Sequence, residues 1–366
     1  MGEWKECKIG DIVTLEYGKG LKDYKNGNGN YDVFGTNGKI GSTTDFLYNE
    51  PSVIIGRKGA YREVHLAKQP FFVIDTAFYT KIKIKELDNL FLYYWFKNVD
   101  INEMDSGSAI PSTSRDEVYD LDILLPPLPE QHAIVSVLSS LDDKIDLLHR
   151  QNKTLETMAE TLFRQWFMEE ADEEWEEIPL SKVADFLNGL ACQKYPPQND
   201  VDKLPVLKIK ELRNGFSKNS DYATTEVKPK YLVENGDVIF SWSASLMVKI
   251  WDGGKCILNQ HLFKVTSEDY PKWFYYQWCK YHLEEFVSIS ASHATTMGHI
   301  KRGDLDVAMV LVPSNKELEN MTKLMMPLMY KPIVNNKQIH SLEKMRDTLL
   351  LKLMNGNVRV KCEDVG

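Results

Sequence analysis

Two long stretches of the sequence repeat apolar residues at the spacing of a coiled-coil helix. The first runs from Glu130 to Met168 without a proline or a glycine. With Leu138 taken as heptad position a, the a positions are Leu138, Ile145, Asn152, Ala159 and Trp166, and the d positions are Leu141, Leu148, Leu155 and Leu162. A seam of this length predicts a helix that pairs with a partner, and a single Asn at an a position is a known means of fixing the register.

The second stretch, near 315–354, repeats the pattern less regularly. Its seam residues are Met325, Leu328, Ile339, Leu342, Leu349 and Leu353. Arg346 stands at an a position, and Pro327 and Pro332 fall inside the pattern. Because a proline inside a helix costs about 3 kcal/mol or more, we expect a kink or break near 327–332. An unpaired amphipathic surface helix is the alternative interpretation, but the length and repetition of the seams favour pairing.

The segments that precede the two helices are predicted to be β-rich, and they resemble each other. Apolar and glycine landmarks recur in the same order: Trp4, Ile9, Ile12, Leu15 and Gly18 match Trp175, Leu180, Val183, Phe186 and Gly189. Short apolar runs at 52–56 and 237–242 predict strands, and residues 90–97 and 273–281 predict short amphipathic helices. The shared positions are mostly apolar, so we expect them to form the common scaffold. The two halves differ in their loops, where binding specificity usually resides.

This repeat predicts the domain organisation. A first globular domain occupies residues 1–128, a central long helix 129–170, a second globular domain 171–313, a distal long helix 314–358 and a tail 359–366.

Composition and charge restrict the class of protein. The 366 residues carry a net charge of −9, which excludes a globally basic nucleic-acid coat, and the segment 127–174 alone carries four basic against eleven acidic residues. Local basic stripes occur at 51–85 and 203–230, where solvated strand faces are the alternative to nucleic-acid contact. The five cysteines lack CxxC spacing, and we find no secretory signal or membrane-spanning run, which is typical of a cytoplasmic protein.

The order of these pieces resembles the specificity (S) subunits of type I restriction–modification enzymes. The resemblance rests on Trp4 with Gly18, on Gly107-Ser-Ala-Ile-Pro111, and above all on Leu125-Pro-Pro-Leu-Pro-Glu-Gln-His-Ala-Ile134 leading into the heptads. Second copies follow at Trp175 with Gly189 and after Pro313, where Pro-Ser-Asn-Lys-Glu replaces the Pro-Leu-Pro-Glu-Gln run.

The resemblance implies an α+β fold in which two β-rich target recognition domains are separated by two long antiparallel coiled-coil helices, as an internal pseudo-twofold repeat. Each domain would read one half of a bipartite site in double-stranded DNA. The helices would set the spacer and dock two modification (M) subunits, and restriction (R) subunits would join the full complex. The resemblance places S-adenosylmethionine on the M subunits and ATP and Mg on the R subunits, with no cofactor in this chain.

The residues themselves show no catalytic motif. The chain lacks an Asn-Pro-Pro-Tyr or Asp-Pro-Pro-Tyr segment, a complete P-loop or dinucleotide fingerprint, and any zinc-ligand spacing. We therefore predict neither catalytic nor metal-binding residues, which disfavours a methyltransferase or nuclease. A coiled-coil adaptor without DNA readout is the remaining alternative, and the unlike loops on a like scaffold argue against it.

Candidate DNA contacts are the loop residues whose side chains suit bases or phosphates. In the first domain they are Lys19, Lys22, Tyr24 and Lys25; Arg57, Lys58, Tyr61 and Arg62; and Ser112, Thr113, Ser114 and Arg115. In the second domain they are Gln193, Lys194 and Tyr195; Lys208, Lys210, Arg213 and Asn214; and Ser241, Trp242, Ser243, His293, Thr295, Thr296, Met297, Lys301 and Arg302.

The charge balance predicts that the isolated chain binds DNA weakly. Phosphate neutralisation dominates nucleic-acid affinity, and both recognition domains are near neutral or acidic, so much of the cationic surface should come from the M subunits. Titration of labelled duplex at physiological salt should give a Kd of about micromolar or weaker for the chain alone, as for non-specific binding. Adding the M partner should increase the affinity for the duplex. A tight, site-specific complex of the chain alone would contradict the prediction.

Overall fold

The computed structural model describes residues 3–25, 27–104, 110–292 and 298–360, apart from the side chain of Ser292. The chain forms two compact units, Met1–Ile145 with Ser341–Gly366, and Asp146–His340. Each unit contains a β-rich domain together with a part of both long helices. The domain boundaries predicted from the sequence stay predictions, since the units divide the helices between them.

The first domain is built from mainly antiparallel strands and short helices. In chain order its elements are β1 (Lys5–Lys8), α1 (Ile9–Ile12), β2 (Val13–Tyr17), β3 (Tyr31–Gly35), β4 (Gly38–Thr43), β5 (Ser52–Gly56), β6 (Val64–Ala67), β7 (Phe71–Val73), β8 (Ala77–Ile82), α2 (Asn89–Lys97), α3 (Arg115–Tyr119) and β9 (Asp122–Leu125), followed by the long helix α4 (Leu128–Arg164). The strands form a sheet of order β2-β8-β5-β6, a sheet of order β4-β3-β7 and a β1-β9 pair.

The second domain repeats much of this plan. After a π-helical turn at Gln165–Glu169, its elements are β10 (Glu176–Pro179), α5 (Leu180–Val183), β11 (Asp185–Asn188), β12 (Lys203–Leu207), α6 (Ile209–Asn214), β13 (Tyr222–Thr224), β14 (Leu232–Val233), β15 (Val238–Ser241), β16 (Met247–Ile250), β17 (Cys256–Leu258), β18 (Leu262–Thr266), α7 (Lys272–Tyr281), α8 (Leu283–Ser292), α9 (Arg302–Val307), β19 (Met309–Val312) and the long helix α10 (Asn315–Met354). Short 3₁₀ turns lie at Cys192–Lys194 and Pro229–Tyr231.

Sheet order confirms the repeat. The sheet β11-β18-β15-β16 has the connectivity of β2-β8-β5-β6, and the β10-β19 pair has that of β1-β9. The other sheet of the second domain, β13-β12-β17-β14, repeats the order and strand directions of β4-β3-β7 and adds β14 at one edge. The predicted fold class, an α+β chain with two β-rich domains and two long helices, is therefore confirmed.

One tryptophan at the start of each repeat is bonded to the long helix of the same repeat. Trp4 donates from Nε1 to Glu130 at 3.1 Å, and Trp175 donates to Glu317 at 3.2 Å. Glu317 also caps α10, because its carboxylate accepts from the backbone nitrogen of Ser314 at 3.0 Å. The segment Pro313-Ser-Asn-Lys-Glu317 thus places a glutamate at the start of its helix, as the Pro-Leu-Pro-Glu-Gln run does.

In the first unit, the beginning of α4 packs against the end of α10. Ile134 and Leu138 share a buried core with Leu353, and α2 packs on the same core. One turn further along α4, Asp142 accepts from Arg346 at 2.9 Å and from the Tyr94 hydroxyl at 2.7 Å. Arg346, which is polar at a seam position, is therefore paired across the helices, and the direction of pairing is antiparallel.

In the second unit, Asn152 makes polar contacts across the same helix pair. Its Oδ1 accepts from Asn335 at 2.8 Å, and its Nδ2 donates to Asn336 at 2.6 Å. Asn336 in turn donates to Asp252 at 2.6 Å, just after β16. A chain of amides thus fixes the register of α4 against α10 and ties the second domain to both helices.

The predicted seam fits the first part of α4 and shifts near its end. Leu138, Ile145, Leu148 and Ala159 are buried, and Leu141, Asn152 and Leu155 are half-buried. Beyond Ala159 the buried residues are Phe163 and Phe167, whereas the predicted Leu162 and Trp166 are half-buried. This shift to a four-residue step precedes the π-helical turn and brings both phenylalanine rings against Trp278. In α10, Ile339 is buried, and Leu342 and Leu349 are half-buried.

We expected a kink or break in the distal helix; the break is wrong, and the kink near 327–332 stays a prediction. Helix α10 continues through Pro327 and Pro332 from Asn315 to Met354. Because Pro327 has no backbone N–H, the carbonyl of Lys323 loses its helical hydrogen bond. Both residues are exposed, so water can bond to this carbonyl. Met325 and Met329 on either side are buried in the core of the second unit, and this packing offsets the cost of proline.

Replacing Pro327 by Ala should stabilise the second unit. Proline costs about 3 kcal/mol relative to Ala inside a helix, less the roughly 1 kcal/mol by which it restricts the unfolded chain, so the net gain should be about 2 kcal/mol. Urea unfolding followed by circular dichroism measures it. Lys331→Ala, an exposed change on the same helix, should shift the midpoint little, and an unchanged midpoint for Pro327→Ala would contradict the strain argument.

Candidate nucleic-acid interface

Two loops of the first domain are fastened to each other by backbone hydrogen bonds. Gly59 N donates to Pro111 O at 3.0 Å, and Thr113 N donates to Arg57 O at 2.9 Å. Between these bonds Lys58 and Ser112 form an antiparallel bridge. We call residues 57–59 and 111–113 the first loop pair. It unites two of the three predicted contact groups of this domain.

The second domain contains the same arrangement at the equivalent positions. Ala244 N donates to Gly298 O at 2.8 Å, Ile300 N donates to Trp242 O at 3.1 Å, and Ser243 bridges to His299. We call residues 242–244 and 298–300 the second loop pair. The backbone has positive φ at Gly59 and at Ala244, 125° and 57°. The main chain is therefore repeated even where the side chains differ.

The first loop pair presents stacked cationic side chains. The guanidinium of Arg57 lies 4.8 Å from the ring centre of Tyr17, and that of Arg115 lies 3.9 Å from the same ring. Arg57 also donates from Nη1 to the carbonyl of Asp75 at 3.1 Å. Cation–π contact and a hydrogen bond thus hold two guanidinium groups around one half-exposed tyrosine.

The second loop pair presents an aromatic surface instead. Trp242 stacks on Phe263 with ring centres 5.7 Å apart and donates from Nε1 to Asn188 at 3.1 Å. The ring of His261 lies 5.9 Å from Trp242, and its Nδ1 is 3.2 Å from the hydroxyl of Ser243. Arg302 donates to the carbonyl of Phe186 at 3.3 Å.

Equivalent positions therefore carry different chemistry. Arg57 corresponds to Trp242, and Tyr17 corresponds to Asn188, in each case at the end of matching strands. Arg115 corresponds to Arg302, at the first position of the short helices α3 and α9. One arginine is retained, while the residues beside it change from Arg57 with Tyr17 to Trp242 with Asn188.

The remaining candidates of the first domain fall into two groups. Lys58 and Tyr61 are exposed beside the loop pair, with Tyr61 80% exposed, whereas Lys19, Lys22, Tyr24 and Lys25 lie on the loop that follows β2. Thr113 is buried, and Ser114 caps α3 by accepting from Glu117 N at 3.2 Å. Thr113 and Ser114 therefore shape the loop.

Arg62 is a correction to the predicted contacts. It is only 2% exposed, and its Nη2 donates to the carbonyls of Asn102 and Met104 at 3.1 and 2.7 Å. A guanidinium in this position supports the chain after α2. We therefore remove Arg62 from the DNA-contact set.

In the second domain the candidates are more dispersed. Gln193, Lys194 and Tyr195 are exposed at the 3₁₀ turn, Lys208 is ion-paired with Asp221, and Lys210, Arg213 and Asn214 are exposed on α6. Ser241 and Ser243 are buried, while Lys301 and Arg302 are exposed at the start of α9. His293, Thr295, Thr296 and Met297 lie outside the described residues, as do residues 107–109 of the motif near Pro111.

The predicted DNA-contact residues did not include Tyr17, Asn188, His261 and His299. A signal existed for Tyr17 and Asn188, because each directly precedes a landmark glycine of the repeat. A Cβ on Gly18 would lie 1.9 Å from the Ile74 carbonyl oxygen, and one on Gly189 would lie 2.2 Å from that of Asn259. These close approaches fix where the preceding side chain stands.

No group of three or more His, Cys, Asp or Glu suited to a metal ion occurs within the described residues. In the same part of the chain every helix is too short or too polar to span a bilayer. The described cysteines, Cys7, Cys192, Cys256 and Cys279, are free thiols.

Comparison with known proteins identifies the family. The model of the type I restriction modification DNA specificity domain matches residues 1–157 and 172–344. The MjaIX specificity subunit of Methanocaldococcus jannaschii is 27% identical over 348 residues, covering 86% of this chain and 79% of the relative. The MjaVIII specificity subunit of the same organism is 23% identical over 414 residues, with coverage of 98% and 94%.

A solved structure has the same fold. The S subunit of a type I restriction–modification system from M. genitalium superposes with a TM-score of 0.66 at 18% identity, covering 96% of each chain. The protein belongs to the type I restriction–modification DNA specificity family. It is a DNA-recognition subunit, and the catalytic steps of such systems are not performed by this component.

The burial of Arg62 predicts that its loss affects stability. Arg62→Ala removes two hydrogen bonds in a buried site and should lower the free energy of unfolding by about 2–4 kcal/mol. Lys58→Ala, an exposed change on the same loop, should cost less than about 0.5 kcal/mol. Chemical denaturation measures both, and equal stability of the two variants would return Arg62 to the list of surface contacts.

Proposed function

We propose that each β-rich domain reads one half of a bipartite site in double-stranded DNA. The two long helices set the unread spacer and dock two M subunits, and R subunits join the complete enzyme. S-adenosylmethionine belongs to the M subunits, and ATP and Mg belong to the R subunits. The protein acts in the cytoplasm, where its DNA substrate lies.

The repeated loop pair carries the half-site proposal. Three matching backbone contacts hold the loops in both domains, so the main chain is arranged in the same way twice. The side chains nevertheless change from Arg57 with Tyr17 to Trp242 with Asn188. A repeated backbone arrangement with different side chains suits two sites that read different base sequences. An adaptor that binds no DNA would not need different side chains at the two sites.

The helices support the docking proposal through charge and exposed apolar side chains. The segment 127–174 carries eleven acidic against four basic residues, which disfavours contact with phosphates. Leu147 and Met158 on α4, and Tyr330 and Val334 on α10, are 39–55% exposed. Apolar side chains on an acidic surface suit a protein partner.

Sequencing of modified bases tests the function directly. The chain is expressed with its M partner in cells that lack other methyltransferases, and the methylated motif is read from genomic DNA. A motif of two specific half-sites separated by a fixed unread spacer supports the proposal. A continuous motif, or methylation unaffected by omission of this chain, contradicts it.

The proposed role of the helices predicts that they act as a ruler. Seven residues add about 10.5 Å to a helix, or roughly three base pairs of DNA. One heptad inserted near Asn152 and another near Ile339 should keep both half-sites and lengthen the spacer by up to about three base pairs, because a heptad preserves the seam. The sequenced motif measures the change.

A five-residue insertion at the same places is the control for this experiment. It rotates the apolar seam away from its partner and should abolish methylation. Each added base pair also rotates one half-site about the DNA axis relative to the other, so the heptad variant can be less active. The methylated motif still reports the length of the spacer. New half-site sequences, or an unchanged spacer at full activity, would show that the helices do not set it.

A further inference from the structure

We propose that Arg57 specifies a guanine in the half-site read by the first domain, an assignment that rests on the proposed half-site function. At the equivalent position the second domain has Trp242, so this guanine requirement is confined to one half-site. The main chain of Arg57 is fixed, its guanidinium is oriented, and one edge of donors remains available.

The main chain of Arg57 is held from both sides. Its nitrogen donates to Thr76 O at 2.8 Å, and its carbonyl accepts from Thr113 N at 2.9 Å. The first bond ties Arg57 to the turn before β8, and the second ties it to the other loop of the first loop pair. Its Cα is therefore fixed relative to the sheet.

The guanidinium of Arg57 is also oriented. It lies 4.8 Å from the ring centre of Tyr17 and 5.7 Å from that of Phe78, and these rings contact each other at 5.0 Å. Nη1 donates to Asp75 O at 3.1 Å. Arg115 stacks on Tyr17 at 3.9 Å and so restrains the tyrosine. A planar group held in this way loses little conformational entropy on binding.

One edge of the guanidinium remains available. Within the described residues, Nε and Nη2 of Arg57 have no hydrogen-bond partner. Two parallel donors on a rigid plane match O6 and N7 of guanine in the major groove, which is the commonest specific contact of arginine with DNA. A phosphate does not need this pre-orientation, and the exposed Lys58 beside it can supply such a contact.

The second domain cannot make the same contact at the equivalent position. The indole of Trp242 has a single donor, Nε1, which is bonded to Asn188. Stacking on Phe263 further restricts the ring. Trp242 therefore offers an apolar face and no pair of donors for guanine.

Methylated motifs of variant complexes test the assignment. Arg57→Gln removes the charge, and Arg57→Lys keeps the charge but loses the two-donor plane. Both are expressed with the M partner, and methylation is measured on duplexes that carry each base at every position of the motif. Both should lose about tenfold or more of the discrimination at one G·C pair of a single half-site, because a bidentate contact provides that selectivity. The other half-site should be unchanged.

Lys58→Gln is the matched control, because it removes a charge from the neighbouring residue. It should lower methylation evenly across sequences, as loss of a phosphate contact does. Full discrimination by both Arg57 variants at every G·C pair would overturn the assignment, and so would the same relaxation in Lys58→Gln. Retention of the other half-site shows that the variants fold. A wild-type complex without a bipartite motif would instead refute the proposed function itself.

Discussion

The apolar seam between the two long helices holds each compact unit together. Exposure of the apolar seam of either helix to water would be unfavourable. Each compact unit contains a part of both helices. In the first unit the seam is closed by Ile134 and Leu138 against Leu353, and in the second by the amides around Asn152. The polar seam residues, Asn152 and Arg346, are bonded across the helices, so they fix the register without leaving a buried charge unpaired.

Each β-rich domain is joined to this helix pair by polar contacts that differ between the units. In the first unit Tyr94 donates to Asp142, and burial together with this bond raises the pKa of Tyr94, so the hydroxyl stays a donor. In the second unit Lys280 pairs with Glu156 and Glu160. The Trp4–Glu130 and Trp175–Glu317 bonds, by contrast, are the same in both repeats. The repeat thus conserves the start of each helix and varies the contact further along.

Prediction from sequence was most successful where a pattern has a fixed period. Heptads, strand runs and repeated landmarks gave the helices, the β-rich domains and their duplication. A kink or break in α10 was expected because the cost of Pro327 is local, whereas the burial of Met325 and Met329 that keeps the helix unbroken is tertiary. Site residues were harder to predict for the same reason. Arg62 and Arg57 are both loop arginines in the sequence, and only the fold shows that one is buried while the other stacks on Tyr17.

Exchange of one recognition domain asks whether the two domains read DNA independently of each other. Residues 1–126 are replaced by the first domain of another specificity subunit, and the motif methylated by the complex with the M partner is sequenced. The structure places each loop pair within its own unit, so one half-site should change while the other half-site and the spacer remain. A change in both half-sites would show that the domains do not read DNA independently.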